Sequence, residues 1–255
     1  MSLTENAIPL LEYDTDPGAV IPPSYEHPSL RLPKKAVFAF LGEAVDRYAR
    51  AHGAVVVDEV VTISKRHPVY VLTVEGQEVC LVEAPLGAPA AAIILDAMLA
   101  HGVQEVISSG SCGVLVEMEE NVFLVPTRAL RDEGTSYHYL PPSRFVDISA
   151  PARRAVEETL RVHGLPYTEA VAWTTDGFYR ETAEKVSRRK REGCTVVEME
   201  SAALAAVAQM RGAVWGTLLY TADTLADLDH YDDRGWGMGS VDRALALSVE
   251  AVLRI

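Results

Sequence analysis

Cysteine is scarce in this chain of 255 residues, which has only Cys80, Cys112 and Cys194, odd in number and far apart. That excludes a disulfide framework, no pair has metal-ligand spacing, and thiols used this way fit the reduced cytoplasm. Basic residues are short too: 23 Lys and Arg stand against 36 Asp and Glu, a formal net charge of -13. Such a balance argues against a nucleic acid or an anionic membrane as partner, since either calls for a basic surface, while a small anion can still be held locally. Long apolar runs are also missing. The longest, around Ala88 to Ala100, contains Asp96 and is too short to cross a bilayer. The N-terminal stretch carries Glu5, Pro9, Glu12, Asp14, Asp16 and Pro17 instead of a basic start and an apolar core, so no secretion signal is expected. Internal repeats and low-complexity tracts are absent.

What is present is the composition of a globular protein with a full core, 49% hydrophobic and 23% charged. Residues 1–35, with six prolines and little periodicity, read as an extended arm lying over the fold or over a neighbouring subunit. From Ala36 to the C-terminus, short apolar runs alternate with helical stretches. Ala36 to Phe40 is a strand ending at Gly42, and Glu43 to His52 is a helix stopped by Gly53. Val55 to Ile63, Val69 to Val74 and Val79 to Val82 are strands. Gly87-Ala88-Pro89 starts a helix that runs to His101, with proline in its first turn. Val103 to Ser108 is a buried strand running into a glycine loop at Gly110-Ser111-Cys112-Gly113. Strands near Val122 to Pro126, Ala170 to Trp173, Thr195 to Val197 and Val214 to Thr221 alternate with helices near Ala152 to His163, Thr182 to Glu192, Glu200 to Arg211 and Val241 to Leu253. This pattern predicts one α/β domain over residues 36–255, a three-layer α/β/α arrangement with a mixed central sheet.

Three segments end where such sheets place ligands: the Gly110 loop, the corner Glu198-Met199-Glu200 and Asp223. At the corner, two carboxylates bracket a methionine just as a strand gives way to a helix of small residues. Carboxylates accept bonds from vicinal sugar hydroxyls and a thioether lies along the apolar face of a pentose; the plain alternative is a solvated helix start. Gly110 to Gly113 offers backbone N–H groups and the Ser111 hydroxyl to an anion, or is an ordinary tight turn. Asp223 follows an apolar run, where burial raises a carboxyl's pKa and makes it a proton donor, or it is a cap or turn residue. Phe178-Tyr179 suits stacking on a flat base, or core packing. Arg66 and Arg234 are candidate anion or acid partners, or solvated surface residues.

Together these residues resemble the nucleoside phosphorylase family, which includes purine nucleoside phosphorylase, uridine phosphorylase and the thioadenosine nucleosidases. Val197-Glu198-Met199-Glu200 is similar to the family's ribose signature, Gly87-Ala88-Pro89-Ala90 to its Gly-x-Pro-Ser, Gly110-Ser111-Cys112-Gly113 to its phosphate loop, and Arg131 to His138 to a loop of the uridine enzymes. The resemblance implies cleavage of the N-glycosidic bond of a purine-leaning nucleoside with phosphate, giving ribose 1-phosphate and free base. It implies Glu198, Met199 and Glu200 at the ribose, Phe178, Tyr179 and Asp223 at the base, and Asp223 assisted by Arg234 as the catalytic pair. It places Gly42, Arg47, Arg66, Gly110 and Ser111 at phosphate. Phosphate is then a co-substrate, no metal or organic cofactor is implied, and a homo-oligomer of dimers, a hexamer, is expected.

Two features depart from the pattern. The family's Gly-Asp-Pro-x-Arg is replaced by Gly42-Glu43-Ala44-Val45-Asp46-Arg47, and Ser108 stands where an arginine precedes the Gly110 loop. They keep a hydrolytic nucleosidase as an alternative, since water needs no cationic clamp. A uridine phosphorylase is a further alternative, although Arg180-Glu181-Thr182-Ala183-Glu184 lacks the Gln-x-Arg that reads uracil. A non-catalytic nucleoside-binding protein on the same fold is the alternative from another class.

Overall fold

The computed structural model describes residues 2–255. In the arm, β1 (Leu3–Thr4) and β2 (Tyr13–Asp14) pair antiparallel around a short 3-10 turn, and the rest is extended up to Lys34. It lies on the chain's own body: the Leu32 amide donates to the His101 carbonyl at 2.9 Å, and Arg211 Nη1 donates to the Pro17 carbonyl at 2.9 Å.

The body begins with β3 (Lys35–Ala39), α1 (Glu43–Ala51) and the antiparallel run β4 (Val55–Val61), β5 (Arg66–Val74) and β6 (Gln77–Glu83). Next come α2 (Ala88–Ala100), β7 (Glu105–Val114), β8 (Phe123–Asp132), β9 (Phe145–Asp147), α3 (Ala150–Val162) and β10 (Tyr167–Thr175). The chain closes with α4 (Ala183–Arg191), β11 (Val196–Glu198), α5 (Ser201–Arg211), β12 (Val214–Thr224) and α6 (Val241–Val252).

One mixed sheet runs in the order β11-β10-β8-β12-β7-β3-β6-β5-β4, with β9 attached to β8. Its central strands β7 and β12 are buried almost throughout and parallel to each other, as expected of near-continuous apolar strands covered on both faces. On one face α2 and α5 pack over Phe38, Val82, Val106 and Trp215; on the other α1, α3 and α6 cover Val37, Leu81, Ile107 and Leu218. The α/β class and the helices on both faces are those expected from the sequence. A closure was not foreseen: β11 also pairs antiparallel with β7, so β7, β12, β8, β10 and β11 form a ring.

The glycine loop is corrected by the structure. Gly110 to Gly113 lies inside β7, pairing with Leu219, Tyr220 and Thr221 of β12 and Val197 of β11. Its backbone groups serve the sheet ladder, so the segment is strand and not a loop. Glycine is wanted there for close approach instead: a Cβ on Gly113 would sit 3.0 Å from Val197 Cγ1 and 3.1 Å from Asp223 Oδ1. At the end of α5, Gly212 takes the left-handed φ of 69° that stops the helix.

Gly216 in β12 fixes how closely α3 can dock, since a Cβ on it would lie 2.7 Å from Ala152 Cβ. Gly216→Ala is expected to cost about 1–3 kcal/mol through overpacking, read as a lower denaturation midpoint. Adding Ala152→Gly should recover part of that loss.

Candidate active site

The ring closure draws the ends of β10, β11 and β12 together. Thr174 of β10 lies opposite Glu198 of β11, and its hydroxyl donates to Glu198 Oε1 at 2.5 Å. The other oxygen of Glu198 accepts the backbone amides of Glu200 at 2.8 Å and Ser201 at 2.6 Å. The carboxylate therefore caps the start of α5, satisfying amides that a helix N-terminus leaves free. These donors give Glu198 a structural part in holding the corner, and it also lines the cleft beside Glu200.

Glu200 is buried beside it, and its Oε1 accepts the Gly87 amide at 2.6 Å, so one side chain ties α5 to the start of α2. Burial first, and the charge of Glu198 second, push the Glu200 carboxyl up to about 8. Burial also raises Glu198, but its three donors favour the charge on that residue. Both carboxyls are raised, Glu200 with fewer donors to oppose the effect of burial. Met199 between them is half-buried.

A small cleft opens beside Glu200, walled by Phe40, Gly110, Ser111, Leu204 and Trp215. Ser111 is exposed, with its hydroxyl free of protein partners among the described bonds. No arginine of this chain lines that cleft. Ser108 is buried and its Oγ accepts the Trp215 indole N–H at 2.9 Å, so an indole fills space beside the strand. Arg47, placed at phosphate by resemblance, instead pairs with Asp242 at 2.9 Å on the surface where α1 meets α6. Arg66, on the outer strands, pairs with Glu59 at 3.1 Å and is exposed. Gly42 precedes α1 with a left-handed φ of 54° and is exposed.

Asp223, at the end of β12, lies over Gly113 beside Val197. Burial raises its pKa, opposed by a hydrogen bond from Tyr231 and the charge of Arg234. Arg234 acts on Asp223 only through its field, because its Nη1 donates to the Met118 carbonyl at 2.8 Å. Phe178 and Tyr179 meet edge to face at 5.0 Å in a 3-10 turn after β10. Tyr179 is 93% exposed, so only Phe178, at 39%, is partly covered; the short turn cannot direct two adjacent rings to one side.

Sequence reasoning missed four participants: Thr174, the Gly87 amide, Trp215 and Glu181. Glu181 follows the aromatic pair directly, and an acid beside a base-stacking candidate was the available signal. Burial first and Asp223 second push its carboxyl up to about 7.

The sheet closed into a ring brings a buried carboxylate pair at the end of β11 near a separate buried aspartate at the end of β12. The phosphorylase superfamily model matches residues 34–254, and the chain belongs to that superfamily of nucleoside phosphorylases and nucleosidases. The guanosine phosphorylase of Halorubrum lacusprofundi is 26% identical over 166 residues, 63% of this chain and 67% of that protein. The DeoD-type purine nucleoside phosphorylase of Myxococcus xanthus is 30% identical over 155 residues, 59% of this chain and 64% of that protein. The crystal structure of AMP nucleosidase from Bacteroides thetaiotaomicron shares the fold, with a TM-score of 0.71 over 87% of this chain and 88% of that one at 23% identity.

The Glu200 proton gives a pH test. An unfolded glutamate loses its proton near 4.5 and the folded one near 8, so between those values the folded state holds more protons and stability falls as pH rises. Glu200→Gln removes that slope. Its unfolding free energy relative to the unmutated chain is expected to rise steadily across that window, measured by denaturant titration at a series of pH values.

Proposed function

We propose that this chain cleaves the N-glycosidic bond of a purine nucleoside and passes the pentose to phosphate. The observation that carries this is two buried acids next to β7, Glu200 lining a cleft with Gly110 and Ser111 and Asp223 against Gly113, read as one acid for the sugar and one for the base. Burial raises the Asp223 carboxyl, which favours it as the acid that protonates the purine ring as the bond to C1′ breaks and the bonding electrons pass to the base. Ribose hydroxyls donating to Glu200 favour its ionised form, its proton passing to solvent as the nucleoside binds, so a negative charge stands beside the positive charge that develops on the sugar in the transition state. Met199 lies against the pentose, and Phe178 stacks on the base.

The names of the curated relatives support phosphate as acceptor. In that reading Ser111 and Gly110 contact phosphate and Arg66 reaches it from a second copy of the chain. The exposed Val55, Val56, Val57 and Val61 of the neighbouring strand β4 support such a homo-oligomer, built from dimers into a hexamer. A second reading, hydrolysis, is favoured by a specific observation: Ser108 and Trp215 occupy the wall where an anion would need a cation, and two acids lie opposite. Water fits that wall better than a dianion.

The test is a panel of inosine, guanosine, adenosine and uridine with phosphate present and absent. Purine cleavage that depends on phosphate and yields ribose 1-phosphate is expected; free ribose formed at an unchanged rate without phosphate selects hydrolysis. Asp223→Asn should lower kcat by about 10²-fold or more with little change in KM. Binding of nucleosides with no turnover, unaltered by Asp223→Asn, would identify a binding protein.

A further inference from the structure

Past Asp223 the chain turns back on itself, and an antiparallel bridge sets Thr224 against Asp232, with the Thr224 amide donating to the Asp232 carbonyl at 2.9 Å. Side chains alternate across such a pair, so Asp223, Leu225, Tyr231 and Asp233 share one face, with Asp233 opposite Asp223 and Tyr231 on the diagonal. The surroundings of Gly113 agree. A Cβ there would lie 3.1 Å from Asp223 Oδ1 and 3.2 Å from Leu225 Cδ1, so both residues point at β7. A diagonal neighbour lies within reach of a long aromatic side chain, and the Tyr231 hydroxyl does reach the Asp223 carboxyl.

The reversal that carries Tyr231 is tied down along its length. Leu225 donates its amide to the Val114 carbonyl at 2.8 Å, the Ala226 amide donates to Thr224 Oγ1 at 3.1 Å, and Asp227 accepts the Asp229 amide at 3.0 Å. After the bridge, Asp232 accepts the Arg234 amide at 3.0 Å. Tyr231 is thus held over the acid although 58% of it is exposed, and a ring so exposed adds little to the core. The hydroxyl is the part of Tyr231 with a specific contact.

The groups facing Asp223 are Tyr231, Asp233 and Arg234 from the segment after β12, Glu181 from the turn after β10, and the buried Cys112 thiol from β7. Asp233 and Glu181 carry the same sign of charge as Asp223, and Cys112 is a neutral thiol that burial pushes further up. Arg234 donates its Nη1 to the Met118 carbonyl and acts on Asp223 from a distance. Among these side chains Tyr231 is the hydrogen-bond donor to the acid.

We propose that Tyr231 is the positioning residue of the Asp223 acid, its hydroxyl holding the carboxyl in one orientation and donating to the carboxylate left behind when the proton passes to the base. This rests on the glycosidic-cleavage reading above and adds the group that sets its acid. Before transfer the proton is on Asp223; afterwards it is on the base, Asp223 bears the negative charge, and the Tyr231 O–H stabilises that charge. Tyr231 keeps its own proton throughout, since burial and the neighbouring Asp223 push its hydroxyl up to about 12.

The experiment measures kcat and KM for inosine and guanosine with phosphate across a pH series, using the full chain, Tyr231→Phe, Asp223→Asn and the double variant. A donor to the charged form lowers an acid's pKa, so its removal raises it. Tyr231→Phe is expected to lower kcat by about 10-fold, to leave KM within about 3-fold, and to move the alkaline limb of the kcat profile up by about one pH unit. In the Asp223→Asn background the same change is expected to alter kcat by less than about 2-fold, because Tyr231 acts only through Asp223. A merely structural role would cost as much in both backgrounds and leave the alkaline limb unmoved. That result overturns the assignment of Tyr231, as does an unchanged kcat in Tyr231→Phe, and glycosidic cleavage stands in either case. An unmutated chain that cleaves neither nucleoside overturns both.

Discussion

The arrangement depends on one buried carboxylate. Glu198 sits where β11 ends, and its oxygens receive a hydroxyl from β10 and two amides from the start of α5. The same Thr174 hydroxyl accepts the Ala202 amide at 3.0 Å, so strand, corner and helix form one hydrogen-bonded unit. A charge buried this deeply is tolerated only when donors surround it. Here they come from the backbone of the helix that carries Glu200, so the acid that holds the corner also fixes the direction of the acid meant for a ligand. Glu200 in turn takes the Gly87 amide and ties α2 to the same point. Two helices and two strands are thereby fixed to one another around a cleft, and the small residues of α5, buried from Ser201 to Ala208, allow the close packing that this requires.

The electrostatics of the cleft follow from that construction. Two carboxyls so close cannot both ionise cheaply, and a ligand that brings donors lowers that cost. A phosphate dianion approaching Ser111 meets this pair, and none of the arginines of its own chain. Ser108 uses its hydroxyl to fix the Trp215 indole, which makes that wall apolar and immobile. In the proposed phosphorolytic reading the cation for phosphate comes from another copy, and the exposed Arg66, on the strand next to the valine-rich edge strand β4, is the candidate. The acceptor question and the assembly question are physically the same one.

The extent to which all this was legible in the chain differs between kinds of information. Element order was readable because β7, β12, α2 and α5 carry strong apolar patterns bounded by Gly87, Gly102 and Gly212. The corner was readable because two acids stand at a strand-to-helix transition among small residues. What could not be read was register. Nothing in the sequence says that Thr174 faces Glu198 or that Val197 faces Gly113, and those pairings decide that Glu198 caps a helix while Glu200 faces the cleft. The same limit explains the misread glycine loop: Gly110 and Gly113 look like turn residues in one dimension, and only the fold shows that a Cβ would lie 3.1 Å from Phe40 Cβ at one and 3.1 Å from Asp223 Oδ1 at the other. Ion pairs were likewise invisible, since Arg47 and Arg66 find Asp242 and Glu59 through the fold rather than through spacing.

The segment after Asp223 adds a last constraint. Arg234 and Trp236 hold left-handed φ values of 47° and 58° next to Gly235 and Gly237, a conformation that costs roughly 1–2 kcal/mol for each residue with a side chain. Such a cost is sustained only by surrounding contacts, and they are present: Arg234 Nη1 bonds the Met118 carbonyl, Asp233 accepts the Gly235 amide, and Gly237 is pressed against the Thr221 carbonyl so closely that a Cβ would lie 2.8 Å from it. Thr221 is two residues before Asp223 on the same strand. The strained turn is therefore anchored to the strand that carries the acid, and the loop between them, which brings Tyr231 to Asp223, is fixed at both ends. Any movement of Tyr231 off the acid has to take place within residues 225–233.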